Sequence, residues 1–252
     1  MTDALADFFD VTTPEVDQLR EDLIDMVRAC AAAAPRSLQV ELGPSEIGHP
    51  CMRKIAYALM QAPRCNPEYD PLPSIIGTAT HKWLEKAAEH ANAVAGYERW
   101  LVETHVEVAP GLTGHADLYD VDTETVIDWK VPGTTRFAKY RKEMNVVYRR
   151  QAHFYGLGFE RAGRPVQKVA IALLPRGGTL RNMHLWREAY DREYALAGLR
   201  HYERVIGLID DLQVEANPAR YAWIPHSPLD CLHCPQFAPN PMSPYQCRGD
   251  QA

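Results

Sequence analysis

The sequence predicts an α/β protein in which a short antiparallel meander lies between helices and a further strand follows. Three observations carry this. Residues 98–108 alternate and are rich in valine, and two further extended stretches, 112–121 and 125–131, follow, punctuated by Gly111 and by Asp122-Thr123-Glu124. The stretches that flank them, from about 74 and over 136–161, repeat their apolar residues at helical spacing. A second β-rich run, 166–174, comes only after the second helical stretch. The order is therefore helix, three strands, helix, strand.

Each element has its own signal. Thr13-Pro14-Glu15 starts a helix, with a hydroxyl cap, proline at the first helical position and acid in the first turn. Val16, Leu19, Leu23, Met26, Val27 and Cys30 follow on one face, so Cys30 is expected in the core. Residues 44–61 read as a second helical region. A third helix starts near Ser74 and carries Ile75, Ala79, Trp83, Leu84 and Ala87. Strands are expected over 98–108, 112–121 and 125–131, a helix over 136–161, and strands over 166–174 and 182–186. A last amphipathic helix spans about 188–213, and 216–252 is rich in proline and cysteine. This gives three regions: helical 1–73, a core at 74–213, and the tail 214–252.

Bulk properties narrow the function classes. The chain has 252 residues, 46% hydrophobic and 24% charged, which excludes wholesale disorder. No apolar run approaches the ~20 residues needed to span a bilayer, and the acidic N-terminus is not a secretory signal. A cytoplasmic protein is expected, with no membrane partner. The net charge of −6 excludes non-specific coating of nucleic acid by the whole surface. A local basic run does exist: Arg136, Lys139, Arg141, Lys142, Arg149 and Arg150, against the single acid Glu143.

Chemistry concentrates in Gly114-His115-Ala116-Asp117 and Asp128-Trp129-Lys130. Residues two apart on a strand share a face, so Asp128 and Lys130 point the same way. The turn at 122–124 folds one strand back on the other and brings Asp117 to Asp128. Two carboxylates and an ammonium at one sheet position suit a hard divalent ion, Mg²⁺ or Mn²⁺, that polarises a phosphate and lowers the pKa of a bound water. His81, in Gly77-Thr78-Ala79-Thr80-His81 on the preceding helix, could complete the ligand set. Gln151 and Tyr155, four apart on the next helix, share a face.

This succession resembles the RecB-type nuclease motifs of the PD-(D/E)XK superfamily. The resemblance spans about 45–247, and Ala116 stands where the superfamily's name has proline. It implies a restriction-endonuclease-like core, a mixed central sheet flanked by helices, with helical additions. It also implies that His81, Asp117 and Asp128 are metal ligands, Lys130 the catalytic lysine, and Gln151 and Tyr155 a supporting motif. The activity implied is metal-dependent hydrolysis of DNA, as an exonuclease in recombination, repair or end processing.

Six cysteines are unlike a disulfide framework in a reducing compartment. Cys231-Leu232-His233-Cys234 is a C-x-x-C pair, Cys247 follows, and Cys51 is the best fourth ligand, with Cys65 its competitor. One cysteine before the nuclease motifs and three behind resembles the iron–sulfur nucleases, which include CRISPR-associated adaptation exonucleases, AddB-type helicase–nucleases and phage-encoded relatives. The resemblance implies a [4Fe–4S] cluster on Cys51, Cys231, Cys234 and Cys247; zinc is the alternative, with His233 able to replace one thiolate. DNA, single-stranded or with free ends, is the expected partner, beside a possible recombination protein. Ser45, Arg53, Lys54, Arg149 and Arg150 are candidates to touch it. The competing readings are a catalytically silent, cluster-stapled nucleic-acid-binding module and a redox or zinc regulatory protein.

Overall fold

The computed structural model describes residues 14–34, 42–66 and 70–249. Helix α1, Pro14–Ala32, lies in one compact unit, Met1–Val40, and everything from Glu41 onward forms another. Within α1 the residues Leu19, Leu23, Met26 and Val27 are exposed. Cys30 is exposed too, which corrects its expected place in the core.

The second unit opens with two short helices, α2 (Pro44–Ile47) and α3 (Met52–Leu59), where one region was expected. The break is local: Gly48 closes α2, and Cys51 adopts an extended backbone before α3 starts. Helix α4, Leu72–Ala95, begins just ahead of the expected boundary at 73/74 and ends on Gly96, whose φ of 75° glycine adopts without a Cβ clash. Strands β1 (Trp100–Ala109), β2 (Leu112–Asp120) and β3 (Thr125–Lys130) then form the antiparallel meander. The turn between β2 and β3 is organised by Asp120, which accepts two bonds from Arg99 (2.8 and 2.9 Å) and one from Thr123 (2.7 Å).

The expected helix at 136–161 is two helices, α5 (Thr134–Tyr140) and α6 (Val146–Arg161). Asn145 ends the interruption: it is extended, and its side chain accepts from the Val147 amide at 2.8 Å. Such caps contribute about 1 kcal/mol, enough to fix where a helix restarts. The α5–α6 crossover allows β4 (Lys168–Leu173) to pair parallel with β3, and β5 (His184–Ala189) adds antiparallel to β4. The sheet is therefore mixed, five-stranded and ordered β1-β2-β3-β4-β5. Helix α7, Arg192–Leu212, capped by Asp191, packs against α3 and α6.

Three buried clusters among the described residues hold these layers, and two of them position the sites below. Ala152, Tyr155 and Phe159 of α6 pack on Val126, Val169, Ile171 and Leu173 of the sheet. Each such aliphatic side chain contributes roughly 1.5–3 kcal/mol by its burial. Ile55, Ala56 and Tyr57 of α3 pack with Val205, Val214, Tyr221 and Ile224, so the segment after α7 returns onto α3. No helix among the described residues is long and apolar enough to cross a membrane.

Candidate functional site

The β2–β3 ladder pairs Asp120 with Thr125, Tyr119 with Val126 and Leu118 with Ile127, and goes no further. The next positions, Asp117 and Asp128, lie where the two strands part. Opposed residues of an antiparallel pair share a face, and Lys130 is two residues on, so all three side chains project to one side. The Asp117 carboxylate occupies the opening, accepting the Trp129 amide at 2.7 Å. Lys130 Nζ lies 2.5 Å from Asp128 Oδ2 and 5.0 Å from the centre of the Tyr148 ring.

His81, on α4, reaches the same place, its Nδ1 3.3 Å from Asp117 Oδ1. Glu103 of β1 is the residue that sequence reasoning missed. Donor atoms of His81, Glu103 and Asp117 all lie within 4.8 Å of one another, the one such group of three among the described residues. Glu103 sits between the pairs Val102↔Leu118 and Thr104↔Ala116, and its φ of 44° is a left-handed conformation that costs a non-glycine residue of order 1 kcal/mol. That kink in β1 is the feature that distinguishes it from its neighbours, and strand alternation hides it.

The electrostatics follow from this crowding. Burial opposes ionisation of Asp117, but the hydrogen bond from His81 and the charge of Lys130 outweigh it and hold its pKa below the usual carboxylate range. Asp128, 1% exposed, is displaced upward by burial and by Asp117, with Lys130 opposing. Glu103 is raised by burial and by the like charges of Asp117 and Glu85. The Lys130 ammonium contacts Asp128 Oδ2, while the buried Oδ1 has no hydrogen-bond partner among the described residues. A buried carboxylate oxygen left in that condition is rare in native proteins. With one imidazole and the Glu103 and Asp117 carboxylates beside it, it forms a donor set that fits a hard divalent cation.

Beneath this cluster Gln151 and Tyr155 are both buried on α6, and Gln151 hydrogen-bonds the Tyr155 phenol, whose pKa burial raises. Gly114 is needed here for closeness. A Cβ on it would meet Pro44 Cδ at 2.8 Å and Tyr155 Cε1 at 3.2 Å. A larger residue would push α2 and Tyr155 away from the strand that carries Asp117.

A sequence profile of the PD-(D/E)XK nuclease superfamily matches residues 70–236. The chain belongs to that superfamily. The match runs over α4, all five strands and the C-x-x-C pair, so the cluster just described lies inside the matched residues. No curated protein matches the chain. Among solved structures, the chain is similar to an alkaline exonuclease (LHK-Exo) from Laribacter hongkongensis, at 15% identity and a TM-score of 0.47 over 73% of this chain and 94% of that one. It is also similar to a phage-related exonuclease from Haemophilus somnus 129PT, at 16% identity and a TM-score of 0.36 over 62% and 81% of the two chains.

The cysteines form a second locus. Cys51, Cys231, Cys234 and Cys247 line one cavity, with His49, Arg53, Lys54 and Tyr57. Its walls are irregular chain tied by hydrogen bonds: Asn66 Nδ2 donates to the carbonyls of Leu232 (3.1 Å) and Cys234 (2.9 Å), and the Cys247 amide to Gln236 (2.7 Å). Gly249, with φ 68°, lies so close to Cys231 that a Cβ would meet Cβ and Sγ of that residue at 3.0 Å. Cys65 does not line the cavity, and its thiol faces the Phe237 carbonyl at 3.8 Å. Four thiols lining one cavity are a donor set that fits a thiophilic metal, as zinc or as a metal–sulfur cluster.

Of the five residues expected to touch nucleic acid, three have internal partners. Arg53 donates to the carbonyls of Ala222 (2.8 Å) and Ile224 (3.1 and 3.0 Å), which ties α3 to the returning segment. Arg149 pairs with Glu188 at 2.6 Å, and Arg150 donates to the Gly48 carbonyl at 3.0 Å. Spacing in sequence reported their charge and not these partners. Ser45 and Lys54 instead line a cavity with Arg136, Asn145 and Tyr148.

Proposed function

We propose that the protein is a divalent-metal-dependent DNA exonuclease whose catalytic groups are Asp117, Asp128 and Lys130, with His81 and Glu103 completing the metal ligands. The observation that supports this reading is the convergence of His81, Glu103 and Asp117 beside the buried Asp128–Lys130 pair, in which Asp128 Oδ1 has no hydrogen-bond partner among the described residues. A divalent ion held by these groups would act as a Lewis acid on the scissile phosphate and lower the pKa of an attacking water.

The chain's own residues do the rest. Asp128 holds the Lys130 ammonium beside the ligand cluster, where it can orient the water and offset charge developing on the phosphoryl oxygens. Asp117 keeps β2 and β3 apart at the site through the Trp129 amide. Gln151 and Tyr155 support the floor from α6 and exclude water below it. Ser45, Lys54 and Arg136, around the cavity that shares Tyr148 with Lys130, provide cationic and hydroxyl groups for the phosphates of a strand leaving the site.

In the same reading, Cys51, Cys231, Cys234 and Cys247 hold a [4Fe–4S] cluster that staples 214–252 onto the part of the 1–73 region that carries Cys51, leaving 74–213 as the nuclease core. Mg²⁺ or Mn²⁺ is the catalytic ion, and the biological setting is recombination, repair or end processing. The test is digestion of end-labelled single- and double-stranded DNA, in both polarities, with Mg²⁺, Mn²⁺ or EDTA. Ion-dependent release of short products from an end supports the proposal. Cleavage that is indifferent to EDTA, or no cleavage under any condition, contradicts it.

A further inference from the structure

We infer that His49 donates a hydrogen bond from Nε2 to the group held by the four cysteines and so helps set its electronic state; this rests on the cluster reading above. His49 is 5% exposed and lines the cysteine cavity. Its Nδ1 accepts the Cys51 amide at 3.1 Å. A ring nitrogen that accepts carries no proton, so the proton is on Nε2. That Nε2 is buried and has no hydrogen-bond partner among the described residues. Buried N–H groups in native proteins are almost always satisfied, which directs this one to an acceptor outside the polypeptide.

The rest of the cavity says what that acceptor is. The Arg53 guanidinium donates to Cys247 Sγ at 3.5 Å, and the Gly249 amide to the same sulfur at 3.4 Å. Lys54 adds a cation to the wall. Donors turned toward sulfur match anionic sulfur, thiolate or sulfide, rather than neutral thiols. His49 also borders the cavity of Ser45 and Arg136, where a water is the competing acceptor. Hydrogen bonds to cluster sulfur withdraw electron density and stabilise the more negative, reduced state.

The experiment uses full-length protein prepared without oxygen: wild type, His49→Phe, which has no donor, and His49→Gln, which retains one. Iron and acid-labile sulfide are assayed and the midpoint potential is measured. The expected result is an iron-loaded His49→Phe protein with a more negative potential than wild type, and recovery toward wild type in His49→Gln. Pulsed EPR of reduced wild type carrying ¹⁵N-histidine gives the same answer without a variant, through a weakly coupled imidazole nitrogen. An unchanged potential in loaded His49→Phe, or no imidazole coupling in wild type, overturns the inference. Wild-type protein containing zinc alone, without iron or sulfide, overturns the cluster reading and this inference with it.

Discussion

The sheet face that carries Asp117 and the cavity lined by the cysteines are built on opposite principles. The first is regular: ladder register and the two-residue period of a strand aim Asp128 and Lys130, and α6 buries their supports. The second is made of turns and short 3₁₀ segments, held by side chains such as Asn66 and Arg53 that satisfy irregular backbone. A site built on a sheet stands without its ion. The segment 225–249 adds only the partly buried Tyr245 and Cys247 to the apolar clusters, so a group held by its thiols would matter more to its stability. Catalysis and stability should therefore separate under mutation.

The largest separation is expected at the groups proposed to be catalytic. Asp117→Asn and Lys130→Ala should each reduce DNA cleavage by on the order of 10²–10³-fold or more. The thermal midpoint of Asp117→Asn should stay within a few degrees of wild type, since the carboxamide that replaces the Asp117 carboxylate can still accept the Trp129 amide. Cleavage assays paired with thermal denaturation check this, and a variant that unfolds would break the contrast.

The converse should hold at the cysteines. Cys234→Ser should abolish iron retention and leave 225–249 open to limited proteolysis, while the five-stranded sheet resists. Mass mapping of the first cuts reads this directly. Cuts that begin within β1–β5 would mean that the two regions unfold as one.

Glu103 is a subtler case. Glu103→Gln should raise the Mn²⁺ concentration needed for half-maximal cleavage by about 10-fold or more, with little change in rate at saturating ion. A rate loss that added ion cannot restore would assign Glu103 to another role.

The smallest effect lies away from both sites. His153 is fully buried, held by Glu188 (2.6 Å) and the Asp191 amide (3.1 Å). Burial lowers its pKa from 6.5, with Glu188 opposing. A histidine whose folded pKa is depressed contributes stability that is complete above its unfolded value and lost as pH falls below it. Stability should therefore decline below pH ~6.5, and the decline should be shallower in His153→Gln. His49 and His201 are also lowered by burial, so the informative quantity is the difference between variant and wild type. Parallel curves would remove His153 from the account.

What was legible in the sequence follows the same division. Asp117, Asp128 and Lys130 could be placed on one face because strand period and a short turn determine geometry locally. His81, Gln151 and Tyr155 needed the resemblance, since helical spacing does not say which strand a helix meets. Glu103 escaped because a left-handed residue inside β1 leaves no mark on an alternating pattern. Cys51, Cys231, Cys234 and Cys247 do share one cavity, yet no spacing rule could show that His49 and Arg53 would face them. Arg53, Arg149 and Arg150 have partners that could not be read in advance, because charge in a sequence carries no record of the carbonyls and carboxylates it meets in the fold. Cys30 was read from helical periodicity alone, and periodicity cannot say whether anything covers the face.

The central claim is that side chains from α4, β1, β2 and β3 converge on one divalent ion. Mn²⁺ binding followed by EPR tests it most directly, comparing wild type with Asp117→Asn, Asp128→Asn and Glu103→Gln. Tight binding by wild type that each substitution weakens is the predicted result; Mn²⁺ bound equally well by all four proteins would contradict it.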